Sequence, residues 1–260
     1  MPNENTLPGL SRQVSDLVLA GSIEHAEQAF SEAADKFGDL AVAEVFEHIE
    51  PQVASLYLTA FDGGKLSMAT LLVPPRAWAQ SLAFFAAPWT DDEIEDEPEL
   101  LAEALFAHIH GIVFSSDDIE RSHELLAEAL ATDWGTTAFA VLFSMAPDDT
   151  MEVADEIHSR GVAQSGQTSG DDDVIPLAVE LAKISQEGWE RVLLEIFPEW
   201  RPGEEMLADT AHGEDEEEDE QRFGQRSTQE LLRRLRSQVP SVRSAGQADG
   251  RRSMGEDIFQ

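Results

Sequence analysis

Glu99-Leu100-Leu101-Ala102-Glu103-Ala104-Leu105 recurs, residue for residue, as Glu124-Leu125-Leu126-Ala127-Glu128-Ala129-Leu130, 25 positions later. Alanine, leucine and glutamate are strong helix formers. Working outward from this pair, helix-start anchors fall at Pro51, Pro75, Pro98, His123 and Pro147, with gaps of 24, 23, 25 and 24 residues. Proline suits a helix start because its fixed φ is already helical and its missing N–H would have had no partner there. Three residues after each anchor stand Ala54, Trp78, Leu101, Leu126 and Thr150. Seven after each stand Leu58, Leu82, Leu105, Leu130 and Ala154. Positions four apart share one helix face. A unit this short cannot bury its apolar face alone, so it stacks on its neighbours. The expectation is an all-α, short-helix repeat solenoid with a period of about 24 residues, and solenoids present long surfaces suited to protein binding.

Turn signals between the apolar runs agree with this. Asp62-Gly63-Gly64, Pro74-Pro75, Pro88, Ser115-Ser116-Asp117-Asp118 and Pro147-Asp148-Asp149 break the chain into helices of roughly ten to fifteen residues. Asp117, Asp148 and Asp172 stand where N-caps are wanted. Gly111 reads as the end of the segment that carries His108 and His110.

Around the first anchor the text is Ala43-Glu44-Val45-Phe46-Glu47-His48-Ile49-Glu50-Pro51-Gln52-Val53-Ala54. It resembles the short units of the cytosolic N-terminal domain of MgtE-type magnesium transporters, and of the flagellar rotor switch protein FliG. In both, a helix ends on an apolar residue, an acid and a proline that opens the next helix. Phe139 to Pro147 is similar but lacks the acid, and Val73-Pro74-Pro75 departs further. The resemblance covers roughly residues 40–160. It implies an armadillo-like right-handed superhelix of short helices and a scaffold or regulatory role. It implies no site residues, since neither a membrane channel nor a torque-generating domain is recognisable in this sequence.

The charge is unusual. Fifty-two acids face 17 basic residues in 260, for a formal net charge of -35. Such a field repels nucleic-acid phosphates and anionic membranes. The longest apolar stretch, Leu71 to Trp89, is interrupted by Pro74, Pro75, Arg76 and Pro88, so no membrane insertion is expected. Cysteine is absent, which removes disulfides, thiolate metal sites and a cysteine nucleophile. The N-terminus lacks a basic start and an apolar run, and the expected location is cytoplasmic.

No catalytic pattern is complete in the sequence. Glu120-x-x-His123 has the spacing of di-iron helical bundles, and Asp155-x-x-His158 imitates it. In so acidic a chain these pairs read as solvated helix faces. Gly63-Gly64-Lys65-Leu66-Ser67 lacks the earlier glycine of a phosphate loop and reads as a turn. The acidic clusters do not follow an EF-hand spacing. No catalytic residue, metal ligand or cofactor is assigned, and the expectation is a protein that is not an enzyme.

The chain divides by charge. Residues 1–202 form the helical-repeat body, and residues 203–226 form an acidic spacer containing the run Glu214 to Glu220, expected to be disordered. Residues 227–260 form a basic tail. Residues 221–260 carry +4 against -39 for residues 1–220. Ser227-x-x-Glu230 is a capping-box pattern opening a short helix over residues 228–239. Leu231, Leu232, Leu235 and Val239 form its apolar stripe, flanked by Arg233, Arg234 and Arg236. This is the expected partner-binding element, docking on the acidic body or on another protein. Trp200, beside Arg201-Pro202, is the expected interface anchor where it is exposed.

The leading functional reading is therefore a non-catalytic scaffold or adaptor that binds proteins through its helical surface and its tail. The alternative is an acidic regulatory or inhibitory protein that mimics nucleic acid or neutralises a basic target. A metal-dependent enzyme using Glu120 and His123 is the third.

Overall fold

Proline opens the helices that its spacing marked, at Pro51, Pro75, Pro98 and Pro147. The computed structural model describes residues 7–60, 68–114, 118–161, 175–201 and 224–239. Among the described residues every regular element is an α-helix and there is no strand. In chain order these are α1 (Leu7–Leu19), α2 (Ile23–Phe37), α3 (Asp39–Glu47), α4 (Pro51–Ala60), α5 (Met68–Leu72), α6 (Pro75–Phe85) and α7 (Asp91–Asp96). There follow α8 (Pro98–Val113), α9 (Ile119–Leu130), α10 (Asp133–Phe143), α11 (Pro147–Arg160), α12 (Ile175–Ile184), α13 (Gln186–Ile196) and α14 (Thr228–Ser237). The Gly63–Ser67 turn, Asp117, Asp172 and spacer residues 203–223 lie outside the described residues.

Side-chain caps fix several starts. Thr132 accepts the Gly135 amide at 3.0 Å, Ser185 accepts that of Gly188 at 3.0 Å, and Asp118 accepts that of Arg121 at 3.1 Å. Each satisfies an amide that the helix leaves without an internal acceptor. Asp148 differs from expectation. Pro147 is the first residue of α11, so Asp148 and Asp149 lie in the first turn and complement the helix dipole instead of capping.

Two rows of helices make the packing. In one, α4 packs on α6, α6 on α9 and α9 on α12. In the other, α3 packs on α5, α5 on α8, α8 on α10 and α10 on α13. The marked positions fill the interior. Leu58, Leu82, Leu105, Leu130 and Ala154 are all buried, as are Ala54, Trp78, Leu126 and Thr150, while Leu101 is half-buried.

Two findings depart from an even repeat. His123 lies inside α9, because Asp118 caps that helix and Ile119 begins it. Gly111 does not end α8, which continues to Val113. A mid-helix glycine costs about 1 kcal/mol, and the burial of Ile112 and Val113 beyond it more than offsets this at roughly 1.5–3 kcal/mol per large apolar side chain.

Helix α10 is the centre. Every residue from Gly135 to Phe143 is buried, so the helix is apolar all round. It packs on α6, α8, α9, α13 and α14. Gly135 allows the close approach to α9, since a Cβ there would lie 2.1 Å from the Ala129 carbonyl oxygen. Arg191 of α13 closes the same corner by donating to the Leu130 carbonyl and, at 3.1 Å, to Thr136 Oγ1.

Candidate functional site: the seat of the C-terminal helix

The amphipathic segment Leu231-Leu232-Arg233-Arg234-Leu235-Arg236 lies on the body. Leu231, Leu232 and Leu235 are fully buried. Their spacing puts them on one face of α14, which packs on α10, α8, α7 and α6. Ser227 caps the helix by accepting the Glu230 amide at 3.3 Å. The return half of the expected capping box is replaced, because the Glu230 carboxylate pairs with Arg226 Nε at 3.3 Å. The helix ends at Ser237, short of the expected residue 239, and Val239 is half-buried beyond it.

The polar rim is paired at both ends. At the start, the Arg226 amide donates to the Ile196 carbonyl at 2.8 Å. Its guanidinium donates to the Glu195 carbonyl at 2.8 Å and to the Glu195 carboxylate at 2.9 Å. Arg234 donates to the other oxygen of that carboxylate at 3.0 Å. Thus Glu195 serves two arginines while its side chain is only 18% exposed. Midway, Arg233 lies 3.6 Å from Glu95. At the far end Arg236 donates to the Trp89 carbonyl at 2.8 Å and to Asp91. Gln238 donates to Thr137 Oγ1 at 3.1 Å, but its own Oε1 is buried without a partner. Residues 224–226, assigned by sequence to the spacer, are therefore part of this attachment, with Gly224 at φ 63° beside Glu199.

Helix α7 supplies Asp91 and Glu95, and its own start is a complete capping box. Thr90 Oγ1 accepts the Glu93 amide at 3.2 Å, and Glu93 accepts the Thr90 amide at 2.7 Å. The backbone and side-chain hydrogen bonds from Thr90 hold the Glu93 carboxyl below the usual range. The sequence Thr90-x-x-Glu93 carried this signal.

Beneath this region His108 stacks on Phe85 at 4.6 Å between ring centres, and Phe85 meets Trp89 edge-on at 5.4 Å. Burial pushes the His108 imidazole down to about 4, and its Nε2 has no partner. His108 is thus the packed member of the His108/His110 pair. His110 stands on the outer face of α8, between Phe106 at 5.6 Å and exposed Phe114 at 5.1 Å. This ladder at spacing i, i+4, i+8 was legible in the sequence and passed over.

Trp200 does not have the exposure an anchor needs. It is 8% exposed and packs in the core, with its amide donating to the Phe197 carbonyl at 3.0 Å. His123 pairs across helices with Glu180 of α12 at 3.0 Å, and Lys183 reaches the other oxygen of Glu180 at 2.5 Å. Burial acts to raise the Glu180 carboxyl, and the bonds from Lys183 and His123 outweigh it, leaving it below the usual range. Burial raises the Asp155 carboxyl against the pull of His158. Among the described residues no three histidines or acids are grouped to hold a metal ion, and no helix is long and apolar enough to cross a membrane. No family model, curated protein or solved structure matches this chain.

Proposed function

We propose that this chain is a non-catalytic scaffold that binds other proteins through the outer faces of its helical rows and through its C-terminal segment. The observation that carries the reading is the ladder of half-buried Phe106 and exposed His110 on α8 and exposed Phe114 just past its end, with Leu100 exposed on the same helix. Aromatic side chains that remain accessible on a rigid helix are efficient interface anchors, because they bring large contact area at little conformational cost. The two rows of short helices are read as a solenoid with a period of about 24 residues, which the resemblance to the transporter and rotor domains supports. The acids on the surface add selectivity for cationic partners and against nucleic acid.

The test is affinity purification from the native host with the unaltered chain and with His110→Ser, Phe114→Ser. Both substitutions are at accessible positions, so the fold is retained. The scaffold reading expects proteins that co-purify with the first and are lost with the second. Identical co-purifying sets, or none at all with the unaltered chain, would refute binding through this face.

A further inference from the structure

Helix α14 is held on the body in the manner of a bound ligand. Its contacts are an apolar stripe of three leucines and a set of arginines paired with acids from separate elements: Asp91 and Glu95 on α7, and Glu195 on α13. Glu195 holds Arg226, ahead of the helix, and Arg234 within it, while Glu95 stands at Arg233 and Asp91 at Arg236 near the C-terminal end. An apolar groove rimmed by fixed charges is the receptor half of helix-in-groove recognition. The occupant is also an imperfect fit, since Gln238 leaves a buried oxygen without a partner. A buried acceptor without a donor is a penalty that a better ligand would not carry. Alone in water a helix of ten residues is marginal, so α14 acquires its order from the seat.

We propose that the groove formed by α7, α8 and α10 and closed by Glu195 is a receptor for a basic amphipathic helix of a partner protein, with α14 as its displaceable occupant in cis. The partner helix presents the order Leu-Leu-Arg-Arg-Leu-Arg or a close equivalent, with an apolar residue at the place of Gln238. A second copy of this chain is the poorer occupant. Its α14 offers the same contacts as the tethered one and adds the entropy cost of association. Displacement releases α14 and its arginines, so binding and exposure of the tail are one event. This deepens the scaffold reading and rests on it, but uses a different surface from the α8 ladder.

The probe is a labelled synthetic peptide of residues 224–239, titrated against the unaltered chain and against the chain carrying Leu232→Asp and Leu235→Asp. The substituted chain, its own helix unseated, is expected to bind the peptide at least about tenfold more tightly than the unaltered chain, whose groove is available only in the fraction of molecules that open. A control peptide with Arg233, Arg234 and Arg236 changed to glutamate is expected not to bind, and added salt is expected to weaken the parent peptide. No binding to a substituted chain that keeps its helical circular dichroism overturns the proposal, as does equal binding to both chains. Hydrogen exchange on the unaltered chain covers the case in which the substituted chain fails to fold. Amides of α14 are expected to be at least about tenfold less protected than those of α10, and equal protection overturns displacement. Light scattering that shows a dimer abolished by Leu232→Asp, Leu235→Asp assigns the groove to a second copy and overturns the partner-helix assignment. Because the α8 variants leave the groove intact, failure of the peptide experiment and failure of the scaffold test are distinguishable.

Discussion

Replacing His108 with leucine should remove a pH dependence of stability that the fold builds in by burying a titratable ring. In the folded chain His108 is buried against Phe85 and its pKa is pushed down to about 4 by that burial. In the unfolded chain it returns to about 6.5. The unfolded state therefore takes up the proton first as pH falls. The stability contributed by the neutral ring is fully present above about pH 6.5 and is lost progressively until pH passes below about 4. Between about pH 7 and about pH 5 the linkage integral is about 2 kcal/mol. Acidification also relieves repulsion in a chain of net charge -35, so the absolute stability of one protein is not the readout. The readout is the gap between the unaltered chain and His108→Leu in urea unfolding at the two pH values. The lost contact with Phe85 enters equally at both and cancels. The gap should shift by about 2 kcal/mol in favour of the leucine protein at the lower pH. A gap that stays constant within the extrapolation uncertainty of roughly a tenth of the unfolding free energy would refute the reasoning.

Three further outcomes are expected. Glu195→Gln removes the charge shared by Arg226 and Arg234, and should destabilise the chain by about 1–2 kcal/mol after discounting the exposure of Arg234; a double-mutant cycle with Arg226→Met should show coupling that falls with salt. Gly135→Ala drives a Cβ into the Ala129 carbonyl and should lower the urea midpoint by the equivalent of about 2 kcal/mol or more, with an unchanged midpoint arguing against the close approach of α10 to α9. Thr90→Ala removes the cap of α7 and should cost about 1 kcal/mol, whereas Thr90→Ser should cost much less, both read by thermal unfolding.

Local patterns in the sequence were enough to place several helix starts, because a cap or an N1 proline acts within four residues of itself. Pro51, Pro75, Pro98 and Pro147 open helices for the reason that made them visible, and the positions seven residues after each anchor are buried. The signals that misled were also local. Gly111 is a helix breaker by propensity, yet it sits within α8, because the burial of Ile112 and Val113 is decided by helices distant in sequence. Trp200 next to Arg201-Pro202 suggested exposure, but the ring is buried in the core. At Gly111 tertiary burial outweighed a local preference worth about 1 kcal/mol.

The tail shows a different limit. Its helix, its apolar stripe and its basic rim could be read from ten residues, since capping and helical periodicity need nothing else. Which surface the stripe meets could not, because a helix built for the body and a helix built for a partner have the same period and charge. The deciding groups are Asp91 and Glu95, one helical turn apart, and Glu195, roughly a hundred residues further along the chain, all indistinguishable there from the other acids. Only the packing of α13 on α10 and of α7 on α8, with α14 seated against α7, α8 and α10, makes them a rim that matches Arg236, Arg233 and the pair Arg226 and Arg234. Given that rim, the question of partner binding becomes one of relative affinity for a groove already complementary to a basic helix. The excess of acid over base then has a local use. With 52 acids available, the body can reserve three of them for a helix of opposite charge.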